Sequence, residues 1–207
     1  MIKIKVCGIT NIEDALAAVE LGADALGFVL APSPRRVSPE SLKRLVDALP
    51  PFISKVGVFV DSPLDEVRHI ISDCGLDLAQ LHGSESPEYC QALYPGAIKA
   101  FQVKDEAILK QLPLYKVSAY LLDGYHSKLK GGSGQSFDWE IARRANGLGN
   151  IILSGGLTPE NVGKAIAVAR PYAVDVASGV EASPGKKDHR KLTAFIKAVK
   201  ESENEAA

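Results

Sequence analysis

The chain of 207 residues has few cysteines and no long apolar run. Its three cysteines, Cys7, Cys74 and Cys90, do not make the even set that a disulfide framework usually needs, so we expect reduced thiols. No stretch approaches the roughly 18–20 apolar residues of a membrane-spanning helix. The first residues also lack the charged and apolar regions of a secretory signal. These absences predict a cytoplasmic protein without a membrane partner.

The sequence also lacks an excess of charge of either sign. Lysine and arginine total 24 and aspartate and glutamate total 25, which gives a formal net charge of −1. A nucleic-acid-binding domain usually carries a basic patch, and Lys186-Lys187 is too short to form one. The four histidines have no paired spacing of the kind found in metal sites. We therefore predict neither a nucleic-acid partner nor a bound metal.

Short apolar runs alternate with helical patterns along the whole chain. Most of the runs are almost continuous, as in residues 25–30, which is typical of parallel strands buried on both faces. The predicted strands lie near residues 2–6, 25–30, 55–60, 77–81, 97–101, 118–122, 150–153 and 173–177. Helix starts are predicted at Asn11, Ser38-Pro39, Ser62-Pro63, Ser86-Pro87 and Thr158-Pro159, with further helices over 104–112, 137–145 and 188–200.

Eight strand–helix units in about 200 residues predict one (β/α)8 barrel, a TIM barrel, over residues 1–207. The charged tail, residues 201–207, is expected to be frayed. An open doubly wound sheet is the competing architecture. The barrel is favoured because the units are short and regular and no linker divides the chain.

Cys7 stands at the end of the first predicted strand, directly before Gly8. Barrels and doubly wound sheets place their chemistry at the carboxyl ends of the strands, so the thiol is a candidate acid, base or nucleophile. A buried cysteine that packs as a small apolar residue is an equally good interpretation of position alone.

Asp123 ends the sixth predicted strand, and in an eight-stranded ring strands 1 and 6 are three apart. Their ends therefore face each other across the barrel mouth. Asp123 is either a cap for the following turn or an acid whose partial burial raises its pKa. A protonated carboxyl group opposite a thiolate forms a general acid–base pair.

Several other residues follow the predicted strands. Gly155-Gly156 and Ser178-Gly179 come after strands 7 and 8, where barrels commonly bind phosphate through backbone N–H groups. Arg36 could bind a carboxylate or be an ordinary surface residue. His82 could be a base, a hydrogen-bond donor or a core residue, and a non-catalytic role is favoured. The glycine-rich stretch 131–134 is either a lid or a long turn.

At these positions the chain resembles the phosphoribosylanthranilate isomerases over almost its whole length. The resemblance rests on KVCGIT at 5–10, GADALGF at 22–28, QLHG at 80–83, LD at 122–123, GGSG at 131–134, FDW at 137–139, LSGGL at 153–157, VD at 174–175, SGVE at 178–181 and PGKKD at 184–188. The resemblance assigns no role to residues 125–130. Each motif alone is weak evidence for the family, but all of them in this order and spacing are highly specific.

The resemblance implies a (β/α)8 barrel that converts N-(5-phosphoribosyl)anthranilate into 1-(2-carboxyphenylamino)-1-deoxyribulose 5-phosphate in tryptophan biosynthesis. It implies no cofactor and no metal, and a monomer or a homodimer. By position, Cys7 is the general base, Asp123 is the general acid, and Arg36 holds the anthranilate carboxylate. Asp175 would lie near the substrate's amine. The substrate-binding set is completed by His82 and by Gly155, Gly156, Ser178 and Gly179 around the phosphate.

Other barrels that act on phosphorylated sugars are the rival interpretations. Indole-glycerol-phosphate synthase would need a Lys–Glu arrangement and an additional N-terminal segment, and a ribulose-phosphate epimerase would need a His/Asp metal cluster. Neither pattern is found. A phosphate-binding barrel without activity would have no need for both Cys7 and Asp123.

Overall fold

The computed structural model describes residues 1–124 and 137–205, and these form a closed barrel of eight parallel strands. The strands are β1 Lys3–Cys7, β2 Ala25–Val29, β3 Ser54–Phe59, β4 Leu78–Leu81, β5 Ala97–Val103, β6 Ala119–Gly124, β7 Ile151–Leu153 and β8 Ala173–Val176. Each strand pairs with the next in the chain, and β1 pairs with β8 to close the ring. The predicted barrel is confirmed, and the open doubly wound sheet is excluded.

Helices follow the strands and surround the barrel. They are α1 Ile12–Leu21, α2 Pro39–Asp47, α3 Leu64–Cys74, α4 Pro87–Gln91, α5 Ile108–Gln111, α6 Trp139–Ala145, α7 Val162–Ala169 and α8 His189–Glu205. Short 3₁₀ turns occupy Leu112–Leu114, Asn146–Leu148 and Ser178–Val180, and a small hairpin joins β9 Glu181–Ser183 to β10 Lys186–Lys187. Within these described ranges, no helix has the length and apolarity needed to cross a membrane.

Side-chain capping explains where several helices begin. The Asn11 side chain accepts a hydrogen bond from the backbone N–H of Asp14 at the start of α1, and Ser38 and Ser86 cap α2 and α4 in the same way. The Thr158-Pro159 signal is displaced: α7 begins at Val162, because the Asn161 side chain accepts the Thr158 N–H and holds 158–161 as a turn.

The last helix is longer than the sequence suggested. Residues 201–205 of the predicted tail continue α8, and the last two residues of that tail, 206–207, lie outside the described ranges. A Lys197–Glu201 ion pair of 3.6 Å and a hydrogen bond from Ser202 Oγ to the Ala198 carbonyl both lie along this last stretch. Such local i,i+4 contacts support a helix beyond its last core-facing turn.

The strands carry two apolar layers because successive side chains point to opposite faces. The outward layer packs against the helices and includes fully buried Val6, Leu26 and Leu122. The inward layer fills the barrel, and its apolar members are Val56, Ile98, Ala100, Ala119, Leu121, Ile152 and Ala173. Above this inward layer, polar side chains fill the carboxyl end of the barrel.

Candidate active site

A cavity of about 240 Å³ opens at the carboxyl ends of the strands. Its lining includes residues at or just after the ends of β1, β2, β4, β6, β7 and β8. They are Cys7, Val29, Ser33, Arg35, Val58, Gln80, His82, Asp123, Ser154, Gly155, Gly156, Leu157, Asp175, Val176, Ala177, Ser178 and Gly179. The structure thus brings together every residue of the predicted site except Arg36.

The Cys7 thiol lies at the edge of this cavity and is only 7% exposed. Cys7 is in register with Gly27 on β2, and a methyl group at Gly27 would lie 2.7 Å from the Cys7 sulfur. Burial raises the pKa of the Cys7 thiol, the Lys5 ammonium lowers it, and the Asp175 carboxylate raises it. The net direction is upward, so the thiol needs its cationic neighbours to ionise.

Asp123 projects from β6 on the other side of the cavity, next to His82. The His82 Nε2 atom lies 3.4 Å from Asp123 Oδ2, and Gln80 Nε2 lies 3.0 Å from His82 Nδ1. Because an amide nitrogen can only donate, His82 Nδ1 accepts and the ring carries its proton on Nε2, facing Asp123. His82 therefore lies beside the Asp123 carboxyl group, and its non-catalytic role stays a prediction.

Gln80 has one atom without a partner among the described residues. Its side chain is 2% exposed, and its Oε1 atom accepts no hydrogen bond there. Because Gln80 also lines the cavity, a ligand hydroxyl or amine is a natural donor for this oxygen.

The glycine turns after β7 and β8 line the cavity between the ends of β6 and β1. Gly155 and Gly156 have φ values of 86° and 68°, in the left-handed region that suits glycine. A side chain on Gly179 would lie 1.9 Å from the Leu157 carbonyl oxygen, so the two turns pack directly against each other. Closely packed backbone at two neighbouring strand ends is the arrangement that binds phosphate in barrels.

Gly155→Ala is expected to lower the free energy of unfolding by about 2–4 kcal/mol. The added methyl group would lie 2.2 Å from the Gly124 nitrogen, on a residue whose φ is already positive. Gly147→Ala is the matched control, because no atom lies within 4 Å of its new methyl group, and it should change stability by less than about 0.5 kcal/mol. Urea denaturation measures the free energy of unfolding of both variants. Equal denaturation midpoints would contradict the close packing of Gly155 against Gly124.

The arginine at the mouth is Arg35, and its neighbour Arg36 is exposed outside the cavity. Arg35 donates from Nε to Glu181 Oε1 at 2.8 Å and from Nη2 to Glu181 Oε2 at 2.5 Å. The backbone of Arg36 forms an isolated bridge with Val29, and its exposed side chain is not part of the cavity lining. Arg35, and not Arg36, therefore lines the cavity, and the residue that holds the carboxylate stays a prediction.

Two further charged residues at the mouth were missed as site residues. Lys187, on β10, is 3% exposed and donates to the Cys7 carbonyl oxygen at 2.6 Å and to Glu181 Oε1 at 3.1 Å. Both Lys187 and Glu181 belong to motifs noted in the sequence, but only the hairpin β9–β10 brings them to the mouth. Glu181 therefore links Arg35 to Lys187, and Lys187 fixes the end of β1.

The structure gives the following for the glycine-rich stretch and for metal ligands. The proposed lid at 131–134 lies outside the described residues. Among residues 1–124 and 137–205, no three His, Cys, Asp or Glu side chains cluster as metal ligands would.

Known proteins resemble this chain over almost its whole length. The model of the N-(5'-phosphoribosyl)anthranilate isomerase family matches residues 4–198. A relative of that name from Geobacter sp. strain M21 is 55% identical over 201 residues, covering 97% of this chain and 98% of the relative.

Two solved structures are similar along the whole barrel. A phosphoribosyl anthranilate isomerase in complex with reduced 1-(o-carboxyphenylamino)-1-deoxyribulose 5-phosphate is 42% identical, with a TM-score of 0.86, covering 97% of this chain and 100% of that chain. A structure of monomers generated from the dimeric Thermotoga maritima isomerase is also 42% identical, with a TM-score of 0.85 and the same coverage. The chain belongs to the N-(5'-phosphoribosyl)anthranilate isomerase family.

Proposed function

We propose that this chain catalyses the Amadori rearrangement of N-(5-phosphoribosyl)anthranilate to 1-(2-carboxyphenylamino)-1-deoxyribulose 5-phosphate, in tryptophan biosynthesis and in the cytoplasm. The observation that carries the proposal is the placement of Cys7 and Asp123 at strand ends three apart around the ring, lining one cavity. The relative that binds the reduced product supports the same ligand chemistry.

Asp123 acts first, as the general acid. Its protonated carboxyl group donates to the furanose ring oxygen while the bond from that oxygen to C1′ breaks, and the nitrogen lone pair forms the protonated Schiff base. Asp123 is left as a carboxylate. The Nε2 proton of His82 then faces an anion, which stabilises the charge that has formed.

Cys7 acts second, as the general base. Its thiolate removes the proton from C2′, and the electron pair of that C–H bond forms the C1′–C2′ double bond of a neutral enolamine. Water then takes the hydroxyl proton of the enolamine and delivers a proton to C1′, which gives the ketone. Proton exchange with water removes the proton from Cys7 and returns one to Asp123. Substrate and product are isomers, so the reaction needs no external oxidant or reductant.

The two ends of the substrate would be held by different groups. The turns at Gly155-Gly156 and Ser178-Gly179 would bind the phosphate through backbone N–H groups. Arg35 would bind the anthranilate carboxylate, because the bonds to Glu181 use only two of its five N–H donors. Asp175 lines the cavity between these two sets and would face the substrate's amine.

Arg35→Met is expected to raise KM roughly 10- to 100-fold, because it removes charged hydrogen bonds to the carboxylate. Arg36→Met is the matched comparison, and it should leave KM within about twofold of the wild-type value, because its side chain is outside the cavity. Initial rates over a range of substrate concentrations give both values. If KM instead rises in Arg36→Met and not in Arg35→Met, Arg36 is the residue that binds the anthranilate carboxylate.

Complementation tests the function in a cell. Expression of this chain in a bacterium that lacks the isomerase step should restore growth without tryptophan, and expression of Cys7→Ser should not. If neither the wild-type chain nor Cys7→Ser restores growth although both accumulate in soluble form, the proposal is contradicted.

We also expect a monomer or a homodimer. The Thermotoga maritima relative is described as dimeric, and it covers the same barrel. Sedimentation equilibrium gives the assembly directly, since one chain has a mass of 22.1 kDa. A mass of three or more chains would contradict the expectation.

A further inference from the structure

We propose that Lys5 is a positioning residue whose ammonium group, held between the Asp175 carboxylate and the Cys7 sulfur, sets the protonation state of Cys7. The catalytic consequence of this inference rests on the proposed function, because that function makes Cys7 the base. The arrangement itself is a property of the free protein and is testable without substrate.

The alternation of β1 places Lys5 under Cys7. Residues two apart on a strand share a face, so both side chains point into the barrel, where Lys5 is 3% exposed. Gly27 gives them room: a methyl group there would lie 2.7 Å from the Cys7 sulfur and 3.0 Å from Lys5 Nζ. Both atoms therefore border the space that a Gly27 methyl group would occupy.

Asp175 fixes the ammonium group from the neighbouring strand. Lys5 is in register with Asp175 on β8, and Lys5 Nζ donates to Asp175 Oδ1 at 2.7 Å. Ser154 Oγ donates to the other carboxylate oxygen, Oδ2, at 2.9 Å. All three side chains are at most 9% exposed, so little water screens the charges.

Several other charged groups face Cys7, but each is engaged elsewhere. Lys187 and Arg35 both bond to Glu181, which offsets part of their positive charge at the sulfur. His82 and Asp123 line the same cavity as Cys7 and pair with each other at 3.4 Å.

Lys5 is thus the cation that lies beside both the sulfur and Asp175. Burial lowers the pKa of Lys5, but Asp175 and Cys7 outweigh this and raise it, so Lys5 stays charged. Burial raises the pKa of Cys7 and Lys5 lowers it. A substrate phosphate would work against the thiolate, and Lys5 provides a fixed charge that opposes this effect.

The experiment is a pH titration of Cys7 reactivity in the ligand-free protein. Iodoacetamide reacts with the thiolate, and mass spectrometry of the Cys7 peptide reports its alkylation separately from that of Cys74 and Cys90. Lys5→Met should slow alkylation at pH 7 by about tenfold, which corresponds to a pKa raised by roughly one unit. Asp175→Asn should accelerate it, because it removes the anion that competes for Lys5.

Two further variants distinguish the loss of the Lys5 charge from a general disturbance of the structure. Lys5→Arg keeps the charge and should restore most of the reactivity lost in Lys5→Met. The double variant Lys5→Met/Asp175→Asn leaves no unpaired buried charge, and it should react more slowly than wild type but faster than Lys5→Met.

Lys3→Met is the matched control. Lys3 is on the same strand and pairs with Asp24 at 2.7 Å at a half-exposed position, so its loss should leave the titration unchanged. Alkylation of Lys5→Met or of the double variant at the wild-type rate would overturn the proposal. The alkylation assay contains no substrate, so it is independent of the turnover assay. If the variants show the predicted order of alkylation rates but the wild-type protein has no turnover, the proposed function is rejected and the role of Lys5 is retained.

Discussion

Cys7→Ser is expected to lower kcat by about 10²- to 10⁴-fold while the protein still binds product. Serine has nearly the same shape, but its hydroxyl group is far less acidic than a thiol and supplies almost no anionic base at neutral pH. The charges that favour a thiolate, Lys5 and Lys187, do not compensate for this difference. Stopped-flow or steady-state fluorescence gives kcat, and calorimetric titration with the reduced product gives the affinity.

Cys90→Ala is the matched control for Cys7. Cys90 is fully buried in α4, outside the cavity, and burial raises the pKa of its thiol to about 11. Its loss should leave kcat unchanged in whatever fraction of the protein folds. Turnover of Cys7→Ser within threefold of wild type would remove Cys7 from the mechanism.

Asp123→Asn is expected to produce a loss of kcat of the same size, about 10²- to 10⁴-fold. The amide keeps the shape of the side chain next to His82, whose Nε2 lies 3.4 Å from Asp123 Oδ2, so the site should remain assembled. What is lost is the acidic proton that opens the furanose ring. KM should change much less than kcat, because the substrate is held by other groups.

The control for Asp123 is Asp65→Asn, which removes one carboxylate from an almost fully exposed position on α3. This variant should match wild type in kcat and in KM. If Asp123→Asn instead raises KM with kcat unchanged, Asp123 binds the substrate and is not its acid.

The barrel could be predicted because its signals are local and repeated. Apolar strands recur eight times, several helices begin at a polar cap or a proline, and a parallel sheet is the arrangement that buries such strands. The strand ends then fix which polar residues share the mouth, which is why Cys7, Asp123, Gly155 and Ser178 line one cavity.

The details that sequence could not supply depend on turns and on distant partners. Arg35 and Arg36 are adjacent in the sequence, and only the fold shows that Arg35 lines the cavity and bonds to Glu181. Lys5 lies inside a strand run, where a lysine gives no signal of function. Its partner Asp175 is 170 residues away, and the closure of β1 on β8 brings them together.

The most direct test of the account is the turnover of N-(5-phosphoribosyl)anthranilate by the purified wild-type protein, followed by loss of anthranilate-type fluorescence. We predict a kcat/KM of about 10⁴–10⁸ M⁻¹s⁻¹ that EDTA does not change. No loss of fluorescence, with the reduced product still bound, would contradict an isomerase and indicate a barrel that only binds phosphorylated ligands.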